Sequence, residues 1–193
     1  MRVAGAEHTP FAGRILVSTS FEVDEVSAGE VVGCVGTDAA MLQAVSSLVD
    51  AGHPIKVFED QPRRILPRRG PLPPRRAEAL AAAGRAIAAT SSLIGPVARF
   101  GPVGHHLAAV REGFEGRSAA ALRARQVADR WTRRQLTPSR FDRRRPLRHD
   151  RYLGAIGSAS CDLVTWPIAS FTSSGIRTCN GIEHRLDVLI VTP

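Results

Sequence analysis

Apolar residues near the start of the chain follow two different spacings. The run at 30–35, apolar after its first residue, predicts a buried strand, and the apolar positions of 38–50 then recur at helical spacing until Gly52. A second short run, rich in β-branched and aromatic residues, predicts another strand at 54–58. Strand, glycine-containing turn, helix and strand within about thirty residues form a βαβ unit, so the two strands should be adjacent and parallel.

The apolar pattern changes twice further along the chain. Prolines interrupt residues 62–76, which predicts a connection rather than a helix or a strand, and an alanine-rich stretch with helical spacing follows. We predict helices over about 77–131, the last of which would begin at Ser118 as its N-cap and extend to about Trp131. From Cys161 onward, short β runs separated by Ser-Ser-Gly and Asn-Gly predict hairpins.

These elements together predict an α/β fold. The predicted architecture is a Rossmann-like nucleotide-binding domain with a parallel sheet, a helical insertion and a C-terminal β-hairpin. The sheet should include 30–35, 54–58 and 186–191, the last of which is apolar enough for a buried central strand. A chain of 193 residues with 44% hydrophobic content is long enough to bury its own core.

The chain is strongly basic, with a formal net charge of +8. Such a charge ordinarily suggests nucleic acid or an anionic membrane surface as a partner. Lys56 is the only lysine, however, so nearly all of the positive charge is arginine, and a coding bias towards high GC explains this without any ligand. Eight arginines fall within 133–151, and Phe141 within this segment and Tyr152 just after it could stack on bases, so this arginine-rich face is the candidate polyanion site.

The cysteines and the start of the chain indicate the compartment. Cys34, Cys161 and Cys179 form no CxxC pair and have no histidine-rich partner segment, so neither a disulfide framework nor a metal site is predicted. The first residues hold no apolar core of signal-peptide length, and no run approaches the roughly 20 apolar residues that span a bilayer. We therefore expect a cytoplasmic protein that does not enter a membrane.

The first third of the chain resembles the flavin-dependent monooxygenases of the Baeyer–Villiger type. Phe11, Gly13 and Phe21 stand at the spacing of their fingerprint FxGxxxHxxxW. Residues 36–43, GTDAAMLQ, are similar to the turn GTGASAIQ of the NADPH-binding domain in that family. Residues 57–68, VFEDQPRRILPR, resemble its segment VFQRTPPWVLPR.

Two later segments carry the same resemblance. Residues 136–155, LTPSRFDRRRPLRHDRYLGA, are similar to LTPxxxxGCKRPLxxxxYxxA. Residues 161–191, CDLVTWPIASFTSSGIRTCNGIEHRLDVLIV, resemble VELVTDPIxxITPxGIxTxDGxEHxxDVLVxATG. The resemblance covers roughly 9–68 and 118–191 in the order of the family, whereas the helical segment between them matches poorly.

The resemblance implies a domain organisation. We expect residues 1–29 to be a linker segment with a remnant of the monooxygenase fingerprint, and residues 30–193 to be an NAD(P)-binding-like domain with the helical insertion at about 77–131. The flavin half of the family begins with a GxGxxG motif that this sequence lacks, and the family continues beyond the last strand. We therefore expect a domain that is truncated at both ends and binds no FAD by itself. Whether it is an enzyme stays open at this point.

The resemblance also implies where a dinucleotide would bind. The candidates lie in the turn and first helix, after the second strand and in the arginine-rich segment: Gly36, Thr37, Asp38, Ala39, Gln43, Glu59, Asp60 and Arg144. Asp38 stands where the family turn has a glycine, and its carboxylate would either weaken pyrophosphate binding or cap the helix. In the family an arginine holds the 2′-phosphate of NADPH, and Asp60 stands at its position, which favours NADH. Arg144, however, keeps a cation that could bind a phosphate. Both NAD and NADP therefore stay open as cofactors.

Catalytic candidates are mixed. Arg145 matches the family arginine that stabilises negative charge over the flavin, but Val17 replaces the fingerprint histidine and cannot donate a hydrogen bond. We therefore predict a monooxygenase-related oxidoreductase that is inactive alone and whose partners are a dinucleotide, a flavin-domain chain or a second copy of itself. The alternative is a non-catalytic interaction module that binds a partner chain or a polyanion through its arginine-rich face, with nucleic acid the less favoured polyanion.

Overall fold

A computed structural model describes residues 10–68 and 102–193. In chain order the strands are β1 (Arg14–Val17), β2 (Val32–Val35), β3 (Ile55–Phe58), β4 (Ile65–Leu66), β5 (Leu147–Arg148), β6 (Cys161–Val164), β7 (Ile168–Thr172), β8 (Gly175–Thr178), β9 (Glu183–Arg185) and β10 (Val188–Val191). The helices are α1 (Ala39–Asp50), α2 (Pro102–Gln126), α3 (Arg130–Gln135) and α4 (Tyr152–Ile156). Within these ranges, none of the helices combines the length and the apolar character needed to cross a bilayer.

Five of the strands form one parallel sheet in the order β1-β10-β2-β3-β6. Strands β2 and β3 are neighbours, with Val32 opposite Ile55, which confirms the adjacent parallel pair that the βαβ pattern predicts. Strand β10 lies between β1 and β2, and all four of its residues are buried, as expected for a central strand. The predicted α/β fold with a parallel sheet is therefore confirmed.

Both faces of the parallel sheet are covered, which explains its nearly continuous apolar strands. On one face α1 packs Met41, Leu42, Val45 and Leu48 into a large core that also includes the buried residues of α4. On the other face a second core forms around Phe58 and residues of the antiparallel strands β7 and β8. The sheet is thus the middle layer of the described fold.

The C-terminal antiparallel sheet follows the predicted hairpin signals. Strand β8 pairs with β7 across Ser173-Ser174 and with β9 across Asn180-Gly181. Gly175 has a φ of +155°, and a Cβ there would lie 2.0 Å from the carbonyl oxygen of His184. Only glycine fits this position, so the Ser-Ser-Gly signal predicts the turn for a clear steric reason.

Three details differ from the sequence prediction. Residues 14–17, inside the predicted linker, form the edge strand β1 beside β10. Ser118 lies within the continuous helix α2 and is therefore no N-cap, so this prediction is wrong. That helix ends at Gln126, and a separate helix begins where the Asp129 carboxylate accepts a 2.6 Å hydrogen bond from Thr132 N. Residues 77–101 of the predicted insertion lie outside the described part of the chain.

Candidate functional site

Gly36 ends β2 in a tight turn towards α1. Its φ is +107°, and a Cβ would lie 2.4 Å from Oγ1 of Thr192, so the turn requires glycine. Asp38 is the N-cap of α1, and its Oδ1 accepts a 2.7 Å hydrogen bond from the backbone N of Met41. Of the two roles that the sequence left open for Asp38, helix capping is therefore present in the structure.

A cleft of about 320 Å³ opens beside this turn, at the carboxyl ends of β2 and β3. Ligands of open α/β sheets bind at this edge, near the point where the strand order reverses. Five of the predicted cofactor residues line what we call the strand-end cleft: Gly36, Thr37, Glu59, Asp60 and Arg144. Sequence reasoning missed its remaining lining residues: Val35, Phe58, Gln61, Arg63, Trp166, Ile168, Phe171 and Thr192.

Glu59 forms part of the buried wall of the strand-end cleft. Only 4% of its surface is exposed, and its carboxylate accepts hydrogen bonds from Tyr152 Oη at 2.8 Å, from Arg63 N at 3.2 Å and from Thr37 Oγ1 at 3.4 Å. Burial raises the pKa of Glu59, and these three hydrogen bonds act in the opposite direction. Asp60, by contrast, is exposed in the cleft.

Arg63 places a cation next to the glycine turn. Its Nη1 donates a 3.1 Å hydrogen bond to the carbonyl oxygen of Thr37, and its Nη2 donates one of 2.6 Å to the carbonyl oxygen of Arg145. Its Nε is buried and has no hydrogen-bond partner among the described residues. A sequence signal for Arg63 exists, because it stands where the resembled segment VFQRTPPWVLPR has its second proline.

Arg144 reaches the same cleft from the arginine-rich segment. Its Nε donates a 2.7 Å hydrogen bond to Oδ1 of Asp142, and its Nη2 donates one of 3.1 Å to the carbonyl oxygen of Gln61. Burial opposes ionisation of Asp142, but hydrogen bonds from Arg144 nevertheless hold its pKa below the ordinary value. Part of the guanidinium of Arg144 is therefore already bonded to the protein.

Asp38 and three other predicted residues lie outside the lining of the cleft. Ala39 is the exposed first residue of α1, and Arg145 is exposed and contributes its carbonyl oxygen to Arg63. Gln43 is exposed one turn further along α1, where its Oε1 lies 3.2 Å from Nε2 of His149. The structure therefore brings the turn and the strand ends together, and leaves these three side chains at its margin.

A buried hydrogen-bond network supports the wall behind Glu59. Nδ1 of His149 accepts a 3.0 Å hydrogen bond from the backbone N of Tyr152, so its Nε2 carries the proton that is donated to Gln43. Burial lowers the pKa of His149, which favours this neutral form. Tyr152 is only 1% exposed, so the suggestion that it stacks on bases is wrong.

The rest of the arginine-rich face is partly bonded to its own chain. Arg148 Nη1 donates a 3.2 Å hydrogen bond to the carbonyl oxygen of Pro67, and Arg151 forms an ion pair with Asp50. Phe141 is exposed, with the guanidinium carbon of Arg140 4.7 Å from its ring centroid. Among the described residues, no group of three or more His, Cys, Asp or Glu side chains could hold a metal ion.

Comparison with known proteins gives matches in structure alone. No protein-family model and no curated protein sequence matches the chain. Cyclohexanone monooxygenase from Rhodococcus sp. Phi1 bound to NADP+ matches with a TM-score of 0.62 at 20% identity, over 95% of this chain and 42% of that one. Oxidized steroid monooxygenase bound to NADP matches with a TM-score of 0.62 at 17% identity, over 94% of this chain and 42% of that one.

A closed structure of cyclohexanone monooxygenase gives a similar result, with a TM-score of 0.64 and 21% identity. The match extends over 94% of this chain and 41% of the monooxygenase chain. The chain thus spans about two fifths of the length of these monooxygenases. The matches confirm, at the level of the fold, the resemblance that the sequence motifs predict.

Proposed function

We propose that this chain is the nicotinamide-dinucleotide-binding domain of an oxidoreductase of the flavin-dependent monooxygenase type. The observation that carries the proposal is the Gly36 turn, which leads into the N-terminus of α1 and opens on the strand-end cleft beside the guanidinium of Arg63. This combination suits a pyrophosphate, because a helix N-terminus offers unpaired N–H groups and partial positive charge to an anion. The NADP-bound monooxygenases with the same fold support the assignment.

Asp38 and Arg63 determine the electrostatics of the proposed phosphate site. The Asp38 carboxylate accepts a hydrogen bond from the backbone N of Met41. It therefore satisfies one of the free N–H groups at the start of α1 and adds a negative charge near the others. The guanidinium of Arg63 donates a hydrogen bond to the carbonyl oxygen of Thr37, the residue before Asp38, and so brings a positive charge to the same turn. Its buried Nε–H, which has no hydrogen-bond partner in the part of the chain that the structure describes, is one donor that a phosphate oxygen would satisfy.

Asp60 and Arg144 favour NADH over NADPH in this proposal. The exposed carboxylate of Asp60, just after β3, would accept hydrogen bonds from ribose hydroxyls and would repel a 2′-phosphate. Arg144 could offset the repulsion, but its guanidinium is engaged by Asp142 and by the carbonyl oxygens of Gln61 and Pro62. We therefore propose NAD(H) as the preferred ligand, although the NADP-bound neighbours use the phosphorylated form.

Catalysis is proposed to need a flavin-binding partner. The bound nicotinamide would supply a hydride, and FAD in a partner chain would accept it. Val17 ends β1 where the resembled fingerprint has a histidine, and its side chain can neither donate a hydrogen bond nor move a proton. We therefore propose that the chain binds the dinucleotide but does not insert oxygen by itself. Binding of a partner chain or a polyanion by the arginine-rich face stays a separate prediction.

Calorimetric titration of the whole chain with NADH and NADPH tests the proposal. We expect saturable binding of NADH that is tighter than that of NADPH. Arg63→Met keeps an unbranched apolar stem but removes the charge, and should weaken NADH binding roughly 10- to 100-fold, since charge-assisted hydrogen bonds contribute on the order of 1.5–3 kcal/mol.

Arg134→Met is the matched control, because Arg134 is exposed in the arginine-rich segment and lines neither the strand-end cleft nor the adjoining pocket at Asp60 and Arg144. It removes the same charge and should leave NADH affinity within about twofold, since exposed charges at a distance are largely screened. Absence of NADH and NADPH binding by the wild-type chain would refute the proposed function. An equal loss in both variants would instead place the anion on the arginine-rich face.

A further inference from the structure

An exposed tryptophan stands on the wall of the strand-end cleft. Trp166 follows β6 by two residues, is 56% exposed, and lines the cleft together with Ile168 and Phe171. Of the described aromatic residues that line this cleft, Phe58 is buried and Phe171 is half-buried, so Trp166 offers the most accessible ring. Trp131 is comparably exposed, so exposure alone does not distinguish Trp166; its place in the cleft does.

The residues on both sides of Trp166 form hydrogen bonds with other elements. Nε2 of Gln135, in α3, donates a 3.2 Å hydrogen bond to Oγ1 of Thr165. The carbonyl oxygen of Pro167 accepts a 2.9 Å hydrogen bond from the backbone N of Cys179. Proline also restricts the backbone of Trp166 to an extended conformation. The indole is therefore presented to the cleft by a segment that needs no ordering when a ligand binds.

The topology of the sheet places Trp166 where one end of a dinucleotide would lie. Strand β3 lies between β2 and β6, so the three strand ends present, in order, the Gly36 turn, Asp60 and Trp166. A dinucleotide with its pyrophosphate at Gly36 and a ribose at Asp60 continues towards β6. The group attached to that ribose is a planar base, and a tryptophan ring is a suitable surface for it.

On these grounds, which rest on the proposed dinucleotide site, we propose that the indole of Trp166 stacks on the adenine ring of the bound dinucleotide. The resembled segment VTDPI has an aspartate at this position, so the contact belongs to this chain rather than to the shared motif. Trp166 is in this view a binding residue for the adenine base. The nicotinamide end extends from the turn in the opposite direction, towards β10.

Fluorescence gives a direct test, because the chain contains only two tryptophans. Trp131→Phe leaves Trp166 as the sole indole reporter, and Trp131 lies on α3 outside the lining of the cleft. Titration of this variant with ADP-ribose, which carries adenine, should quench the emission with saturation. Nicotinamide mononucleotide, which lacks adenine, should not. Quenching by the mononucleotide but not by ADP-ribose would overturn the proposal.

Calorimetry with NAD+ separates this proposal from the proposed function. Trp166→Ala should lower the affinity for NAD+ about tenfold, and Trp166→Phe should recover most of it, because a smaller ring still stacks. Trp131→Ala, which removes a comparably exposed indole outside the cleft, should change the affinity less than twofold. If Trp166→Ala binds NAD+ as the wild-type chain does, the stacking is refuted while the dinucleotide site stands. If the wild-type chain binds no NAD+, both proposals fail.

Discussion

Asp38 and Glu59 are acidic residues of the candidate site whose carboxylates are engaged by their own chain. Asp38 caps α1 through Met41 N, and Glu59 accepts hydrogen bonds from three groups, including the buried Tyr152. The sequence predicts the cap as one of two roles, because aspartate before a helix is a common N-cap. It does not predict the environment of Glu59, because Tyr152 lies 93 residues further along and meets Glu59 only through the tertiary fold.

Substitution of Asp38 separates its two effects. Asp38→Asn keeps the capping oxygen, so the free energy of unfolding should change by less than about 0.5 kcal/mol, whereas Asp38→Ala should lower it by about 1 kcal/mol. Both variants remove a negative charge beside the proposed pyrophosphate, and NADH should bind at least about fivefold more tightly. Chemical denaturation and calorimetric titration measure the two quantities. Unchanged affinity in Asp38→Asn would show that no anion binds near α1.

The pKa of Glu59 predicts a pH dependence of stability. Because burial raises that pKa in the folded state above the ordinary 4.5, the contribution of Glu59 to stability is full below about pH 4.5 and is lost as the pH rises through the raised pKa. Glu59→Gln removes this titration, and the resembled segment VFQRTP has glutamine there. Its free energy of unfolding, relative to the wild-type chain, should therefore increase from about pH 4 to about pH 8.

Denaturant unfolding of both proteins across this pH range checks the prediction. Asp60→Asn is the control, because Asp60 is exposed in the same cleft. A difference between Glu59→Gln and the wild-type chain that stays constant with pH would mean that the carboxyl group does not titrate differently on folding.

At the level of elements, apolar spacing and turn glycines predict those helices, strands and turns that depend only on residues near in sequence. The β2-α1-β3 unit follows from apolar spacing and the Gly36 turn, and the hairpins of β7 to β9 follow from their glycines. Strand β1 was missed because none of its four residues is buried, and they become a strand only through pairing with β10, which lies at the other end of the sequence. The Ser118 cap was wrong because a serine can also lie inside a longer helix such as α2.

Two glycines of the C-terminal sheet provide a matched test of these elements. Gly175 and Gly181 both have positive φ, but a Cβ at Gly175 would lie 2.0 Å from His184 O, whereas a Cβ at Gly181 meets no atom within 4 Å. Gly181→Ala should therefore lower the free energy of unfolding by about 1–2 kcal/mol, the cost of the left-handed conformation alone. Gly175→Ala should lower it by clearly more, because β8 and β9 must also separate. Equal effects in thermal or denaturant unfolding would contradict the turn geometry.

At the scale of the molecule, the strand-end cleft joins parts of the chain that are distant in sequence. Its lining comes from the ends of β2, β3 and β10, from the segment after β6, from β7 and from Arg144, so a ligand there would contact the ends of three of the five parallel strands. The sequence motifs predicted the ends of β2 and β3 and Arg144, but Arg63, Trp166 and Thr192 become neighbours of these residues only when the sheet forms. Binding in this cleft should for the same reason stabilise the whole described fold.

Thermal unfolding with and without nucleotide tests this coupling together with the proposed preference for NADH. A ligand that binds only the folded state adds about 2.7 kcal/mol at one hundred times its Kd, which corresponds to a rise in Tm of about 5–10 °C for a chain of this length. NADH should raise Tm more than NADPH at equal concentration, because the exposed Asp60 repels a 2′-phosphate. Asp60→Arg should reverse that order, since a planar cation then faces the phosphate.

Asp24→Arg is the matched control for this reversal. Asp24 is exposed in the short 3-10 turn at Val23–Glu25 and does not line the strand-end cleft, so the variant makes the same change in net charge without a cation at the ribose. Its Tm shifts should keep the wild-type order, and the preference of Asp60→Arg for NADPH should shrink as salt screens the new ion pair. If both variants favour NADPH equally, net charge rather than the position of Asp60 selects the nucleotide. In that case the ribose contact proposed for Asp60 is wrong.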